Sequence, residues 1–63
     1  MCEANAYIIN QDGEEILLLE SVDKLLPDQG ALMLENIFGE TKVIKAKIKE
    51  LSLVDHKIIL EKL

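Results

Sequence analysis

Apolar residues recur at every second position over much of this chain, and this spacing constrains the fold more than any other feature. Over residues 2–9 the even-numbered side chains, beginning with Cys2 and including Ala6, form one face, and the odd-numbered ones, among them Tyr7, form the other. A period of two is that of a β-strand, whereas an α-helix repeats every 3.6 residues. The sequence therefore predicts an all-β protein.

Turn residues separate the first three predicted strands. Asp12-Gly13 predicts a two-residue hairpin after the first strand, because both residues tolerate a positive φ. A second strand over 15–20 follows. The segment from Pro27 to Gly30 has the residue types of a turn and leads into a third strand over 31–37. The segment 22–26 between them is compatible with a short helical turn or with an extension of the second strand.

The last third of the chain predicts three further strands. Residues 42–49 alternate between an apolar face and a mainly basic face, and the β-branched residues among them favour a strand over a competing helix across 42–53. Two short apolar runs, 51–54 and 57–60, flank Asp55-His56, which predicts a second two-residue turn. These segments predict an SH3-like or Sm-like barrel of five to seven short antiparallel strands, forming one domain over 1–63.

The length of 63 residues limits how stable such a domain can be. A chain of this size buries only about 60% of its unfolded surface, and small scaffolds commonly need a disulfide, a metal or a partner subunit. Cys2 is the only cysteine, so an internal disulfide is excluded. A metal, a homodimer or both are therefore expected.

The charge balance argues against nucleic-acid binding. Seven Lys stand against twelve acidic residues, giving a net charge of −5, and the chain has no Arg. Because neutralising phosphates dominates nucleic-acid affinity, an acidic chain without Arg is a poor binder. The one basic stripe consists of Lys42, Lys45, Lys47 and Lys49. It predicts a solvated strand face, with a binding site for an acidic partner as the alternative.

Several function classes lack their signature residues. A single His, a single Cys and two Ser offer no nucleophile–base arrangement, so the protein is expected not to be an enzyme. No apolar run approaches the length of a membrane helix, and the N-terminus lacks the pattern of a signal peptide. We therefore expect a cytoplasmic protein without membrane contact. The two aromatic residues, Tyr7 and Phe38, are expected to serve in core or rim packing.

Cys2 is the residue with the most distinctive chemistry, and two interpretations of it are open. It can be a small apolar residue on the face that includes Ala6, or a metal ligand at the chain end. A thiolate and nearby main-chain nitrogen form small chelate rings, and such planar donor sets suit Ni(II) or Cu(II). Met1, if retained, supplies the terminal amine. One chain has too few donors, whereas two chains related by a two-fold axis have enough. His56 is expected to be structural or solvated.

Four segments of the chain together resemble the CooT-type nickel-binding proteins. They are the opening Met1-Cys2-Glu3-Ala4, the Asp12-Gly13 hairpin, residues 36–40 (Asn-Ile-Phe-Gly-Glu) and the ending over 48–58. The resemblance implies a small β-barrel homodimer that binds one Ni(II) per dimer at its interface, through Cys2 of each subunit and nearby main-chain nitrogen. It also implies an accessory role in nickel storage or delivery, with carbon monoxide dehydrogenase as the client of the best-known member. The family also carries the general name of predicted RNA-binding protein.

Two other functions remain as alternatives to nickel binding. One is a nucleic-acid-binding small barrel that uses the lysine stripe. The other is a metal-independent adaptor that binds its partner through an exposed strand edge or apolar patch, in which case Cys2 serves only in packing.

Overall fold

The computed structural model describes residues 3–62, which form six β-strands. In chain order the strands are β1 (Ala4–Ile9), β2 (Glu15–Asp28), β3 (Ala31–Asn36), β4 (Thr41–Ile44), β5 (Ala46–Ser52) and β6 (Lys57–Lys62). The all-β prediction is confirmed. The competing helix over 42–53 is wrong, and the segment 22–26 is an extension of the second strand.

All six strands belong to one sheet, in the order β4-β3-β2-β1-β6-β5. The hairpin partners are antiparallel, but β1 and β6 run parallel, so the prediction of a purely antiparallel sheet is wrong. The predicted closed barrel is also wrong. Within residues 3–62 the two edge strands, β4 and β5, are not hydrogen-bonded to each other. The strands β4 and β5 are instead consecutive in the chain, and a bend at Lys45 connects the end of β4 to the start of β5.

The sheet folds over itself because β2 is long and bent. Its 14 residues pair with β1 through their first part and with β3 through their second part. Register shifts lie on both sides of the bend, and Ser21 at the bend has a φ of 56°. Bulges of this kind increase the local twist and bend a strand. The two parts of the sheet consequently face each other, and β3 contacts β5.

One face of the bent sheet encloses the core. Its buried apolar side chains come from five strands and are Ala6, Leu19, Val22, Leu32, Leu34, Ala46, Ile58 and Leu60. Alternation placed Ala4 and Ala6 on one face of the first strand, and in the structure Ala6 belongs to this core while Ala4 packs against it. Leu34 and Leu60 are the largest fully buried side chains.

Two turns differ from their sequence predictions. The first hairpin is not a two-residue Asp12-Gly13 turn, because only Gly13 has a positive φ and the loop spans 10–14, closed by Asn10 and Glu14. The turn at the other end of the chain spans 53–56 rather than Asp55-His56 alone, so the predicted strand over 51–54 ends at Ser52. The predicted turn over Pro27 to Gly30 is confirmed only in its second half: Gln29 and Gly30 have positive φ and form a tight turn, whereas Pro27 and Asp28 still belong to β2.

We expect Leu34→Ala to lower the free energy of unfolding by about 2–5 kcal/mol, because the residue is fully buried and the small domain cannot fill the cavity. Val43→Ala, at a position that is 67% exposed, is the control and should change stability by less than about 0.5 kcal/mol. Urea unfolding at a single protein concentration measures both, since self-association would add to apparent stability. Equal stability of the two variants would contradict the assigned core.

Candidate functional site

The candidate ligands Cys2 and Met1 lie outside the described residues, directly before the start of β1. The first described residue is Glu3, which is exposed, and Ala4 then pairs with Val22 of β2. The surroundings of the β1 start therefore decide what chemistry lies next to the N-terminus. We use the term N-terminal end for residues 3–5, 20–23, 36–40 and 53–57.

Three hydrogen bonds connect the elements of the N-terminal end. The Asn5 amide donates to the His56 carbonyl oxygen at 2.9 Å, and the Asn5 side-chain Oδ1 accepts from the Ser21 amide at 3.2 Å. The Ile37 amide in turn donates to the Ser21 carbonyl oxygen at 3.0 Å. The start of β1 is thus held between the 53–56 turn on one side and Ser21 of β2 on the other, and the 36–40 loop is bonded to Ser21 in turn.

His56 lies closer to the chain start than sequence reasoning had placed it. The parallel pairing of β1 with β6 sets Asn5 beside Lys57, and His56 directly precedes that pair. Its main chain has a φ of 54°, and its imidazole is exposed. Its carbonyl oxygen accepts from the Asn5 amide, which gives the main chain of His56 a structural role in the turn. A parallel first-to-last strand pair is not visible in local sequence patterns.

Within residues 3–62 no group of three His, Cys, Asp or Glu side chains is arranged to hold a metal ion. The acidic residues of this chain are spread over the surface rather than gathered. A metal site built from three or more such side chains of residues 3–62 of one chain is therefore not present.

Large apolar side chains are exposed at the N-terminal end. Leu53 and Val54 at the tip of the turn are 81% and 90% exposed, and Phe38 at the tip of the loop is 73% exposed. The prediction that Phe38 serves in core or rim packing is therefore wrong. Tyr7, in contrast, is partly buried, with the Lys57 ammonium 5.2 Å from its ring centroid. Sequence reasoning missed Leu53 and Val54, because it placed both in a strand.

The loop that carries Phe38 has a rigid frame of hydrogen bonds. The buried Asn36 side chain accepts from the Phe38 and Glu40 amides at 3.0 and 2.9 Å. Its Nδ2 donates to a carboxylate oxygen of Glu40 at 2.8 Å. The Gly39 amide donates to the Asn36 carbonyl oxygen at 3.1 Å, and Gly39 takes the positive φ of 87° that this turn requires. Loops fixed in this way lose little entropy when a partner binds.

The lysine stripe is not one continuous surface. The chain bends at Lys45, a register shift falls at Lys49, and Lys47 is paired with Glu61 at 3.5 Å. Lys42 pairs in register with Leu34, on the opposite face from Val43.

Residues 3–62 also contain no helix with the length and apolar character needed to cross a bilayer.

Comparison with known proteins identifies the family. Residues 1–61 match the family model described as "CO dehydrogenase accessory protein CooT". The structure is similar to the crystal structure of a protein assigned as CooT from Carboxydothermus hydrogenoformans, with a TM-score of 0.90 and 63% sequence identity, covering 98% of each chain. No curated protein is significantly similar. The match over nearly the whole length shows that this chain belongs to the CooT family of CO dehydrogenase accessory proteins.

Proposed function

We propose that this protein binds Ni(II) between two subunits through Cys2 and supplies it to CO dehydrogenase. The family description supports an accessory role in that enzyme system. The observation that carries the proposal is the anchoring of β1: hydrogen bonds to the 53–56 turn and to Ser21 hold the strand that begins two residues after Cys2. Metal ligands next to an anchored strand need less ordering on binding than ligands on a free tail.

The donor chemistry of residues 1–2 fits nickel. The Cys2 thiolate is a soft ligand, and the adjoining main-chain nitrogen, or the Met1 amine where Met1 is retained, closes a small chelate ring with it. Residues 3–62 hold no three-donor cluster that could complete the coordination sphere within one chain. A second Cys2 from a partner subunit supplies the missing donors, which gives a stoichiometry of one Ni(II) per dimer.

The exposed tip of the 53–56 turn supports a dimer at this end. Leu53 and Val54 are nearly fully exposed, whereas monomeric proteins rarely leave adjacent large apolar side chains in water without a binding role. The hydrogen bond between Asn5 and His56 places this turn beside the start of β1. A two-fold contact through Leu53 and Val54 would therefore bring the two N-termini together and cover the apolar tip in one step.

Nickel is the cargo rather than a permanent cofactor in this proposal. A carrier must release its metal to the client, and donors at a chain end can exchange ligands more easily than donors enclosed in a core. The accessory role accords with the expectation that the chain is not itself an enzyme. Storage of nickel is the closely related alternative, and release to nickel-free CO dehydrogenase distinguishes delivery from storage.

Removal of the Cys2 thiol should abolish tight nickel binding. We expect the protein with its native N-terminus to bind about one Ni(II) per two chains, with thiolate-to-metal absorption, and Cys2→Ala to lose that absorption together with at least about 100-fold of affinity. Affinity should also fall as the pH falls, because the thiolate and nitrogen donors must lose protons to bind. Calorimetric titration with NiCl₂ and ultraviolet absorption measure these quantities.

His56→Gly is the matched control for this titration. Glycine accepts the positive φ at position 56 without strain and preserves the carbonyl that Asn5 uses. We expect this variant to bind nickel as the unaltered protein does. Equal nickel affinity in Cys2→Ala and the unaltered protein would disprove the proposed site, and a loss of binding only in His56→Gly would move the site to the imidazole.

A negative charge introduced at the tip of the 53–56 turn should prevent two subunits from forming a dimer. We expect Val54→Asp to convert the dimer to a monomer at micromolar concentration, because it would bury two carboxylates in an apolar contact, and to abolish the one-per-two-chains nickel stoichiometry. Sedimentation velocity measures the association state. Val43→Asp carries the same change at an exposed position in β4, outside the 53–56 turn, and should leave the dimer intact. A Val54→Asp dimer would exclude this interface.

A further inference from the structure

Two of the hairpin loops, 10–14 and 36–40, are built on the same frame of hydrogen bonds. In the loop 10–14, the Asn10 side chain accepts from the amides of Asp12 and Glu14, both at 2.9 Å, and the Gly13 amide donates to the Asn10 carbonyl oxygen at 3.0 Å. The loop 36–40 repeats each of these contacts from Asn36, and its glycine has the same positive φ within 5°. In sequence the loops are Asn-Gln-Asp-Gly-Glu and Asn-Ile-Phe-Gly-Glu.

The difference between the loops lies at their two corner residues. Gln11 and Asp12 are polar and exposed, as is usual for turn corners. Their counterparts Ile37 and Phe38 are 39% and 73% exposed, although both are apolar. Because the polar pair satisfies the same hydrogen-bond frame, the geometry of the turn does not require an apolar corner. Packing does not require an apolar residue at position 38 either, since Phe38 is 73% exposed.

A shallow groove continues from Phe38 along β2. Leu17 and Leu18 contribute its apolar floor, and Leu17 is 45% exposed. The charged residues along the groove are Glu20, Glu40 and Lys42, and their formal charges sum to −1. None of the three takes part in an ion pair among residues 3–62. An exposed aromatic residue on a rigid loop, beside an apolar floor and an acidic border, has the composition of a protein-binding hot spot.

We propose that Phe38 and this groove form the docking site for the client enzyme, nickel-free CO dehydrogenase, at a surface where an apolar side chain is bordered by Lys or Arg. The choice of client rests on the proposed function, and the chemistry of the contact rests on the groove. A second copy of this chain fits less well, because a two-fold contact would bring together four carboxylates from Glu20 and Glu40 with only two Lys42 ammonium groups to offset them. A cationic partner surface complements Glu20 and Glu40.

This site has a geometric relation to the proposed nickel site. The Ile37 amide is bonded to Ser21, and Ser21 is bonded to Asn5, so the docking loop is two hydrogen bonds away from the strand that follows Cys2. A client bound at Phe38 would therefore lie beside the N-terminus that carries the metal donors. Transfer of the metal over a short path needs this kind of proximity.

The loop exchange Ile37→Gln/Phe38→Asp tests the apolar part of the proposal. It gives the 36–40 loop the corner residues of the 10–14 loop, whose frame is shown to accept them, so the variant should fold. We expect its dissociation constant for purified nickel-free CO dehydrogenase, measured by biolayer interferometry at low salt, to rise at least about tenfold. The added carboxylate would by charge alone favour a cationic partner, so such a loss must come from the apolar contact. Val43→Ala, also at an exposed apolar position, should bind normally.

A second pair of variants tests the acidic border. Glu20→Gln/Glu40→Gln retains the oxygen that accepts from Asn36 and removes two charges. It should slow association several-fold and weaken its dependence on salt, whereas Asp12→Asn/Glu14→Gln at the other loop should not. The proposal is overturned if the unaltered protein fails to bind the enzyme at low salt or if the loop exchange binds equally well. The docking proposal is also overturned if the loop exchange Ile37→Gln/Phe38→Asp converts the dimer to a monomer.

Nickel titration of the same variants separates this proposal from the proposed function. The loop exchange should bind nickel with unchanged affinity and stoichiometry, because Cys2 is intact. A loop variant that binds nickel but not the enzyme supports docking through Phe38. If Cys2→Ala retains nickel while Phe38 is still needed for enzyme binding, the nickel site fails and the docking site stands.

Discussion

The bend of β2 at Ser21 is the constraint on which the rest of the structure depends. A chain of 63 residues has no second layer to cover a sheet, so a single sheet must fold over itself to enclose a core. The positive φ of Ser21 and the register shifts around it produce that fold. Both main-chain polar groups of Ser21 are then used, since its amide donates to Asn5 and its carbonyl accepts from Ile37. The residue that bends the sheet therefore also assembles the N-terminal end.

The faces of the strands could be read from the sequence, and the connections between them could not. Alternation placed Ala4 and Ala6 on the core side and put Val43 opposite Ile44, because side-chain direction depends only on the local period. The parallel pairing of β1 with β6 joins residues about fifty positions apart, so no local pattern reports it. The same reason explains why the predicted barrel did not close: closure depends on the bend at Lys45 and on edge pairing, and both depend on long-range packing.

The candidate site was only partly accessible to sequence reasoning. Cys2 stood out because of its chemistry, but its neighbours at the N-terminal end are brought there by Asn5 and Ser21, which have no unusual pattern around them. One signal was present and readable: the pattern Asn-x-x-Gly-Glu occurs twice, at 10–14 and 36–40. Comparing the two copies would have shown that Ile37 and Phe38 stand where polar residues suffice. Apolar residues at turn corners are informative because local structure gives no reason for them.

The arrangement also bears on how a domain this small could combine metal binding with client recognition. Its core uses one face of the sheet, and a buried metal site would have to displace part of that core. The proposed donors of residues 1–2 would avoid this conflict, because they precede in sequence a strand whose start is already held through Asn5. The 53–56 turn is bonded to the start of β1 directly, and the 36–40 loop is connected to it through Ser21 of β2. If both proposals hold, the 53–56 turn would contact the partner subunit and the 36–40 loop would contact the client, so the two contacts would use different surfaces.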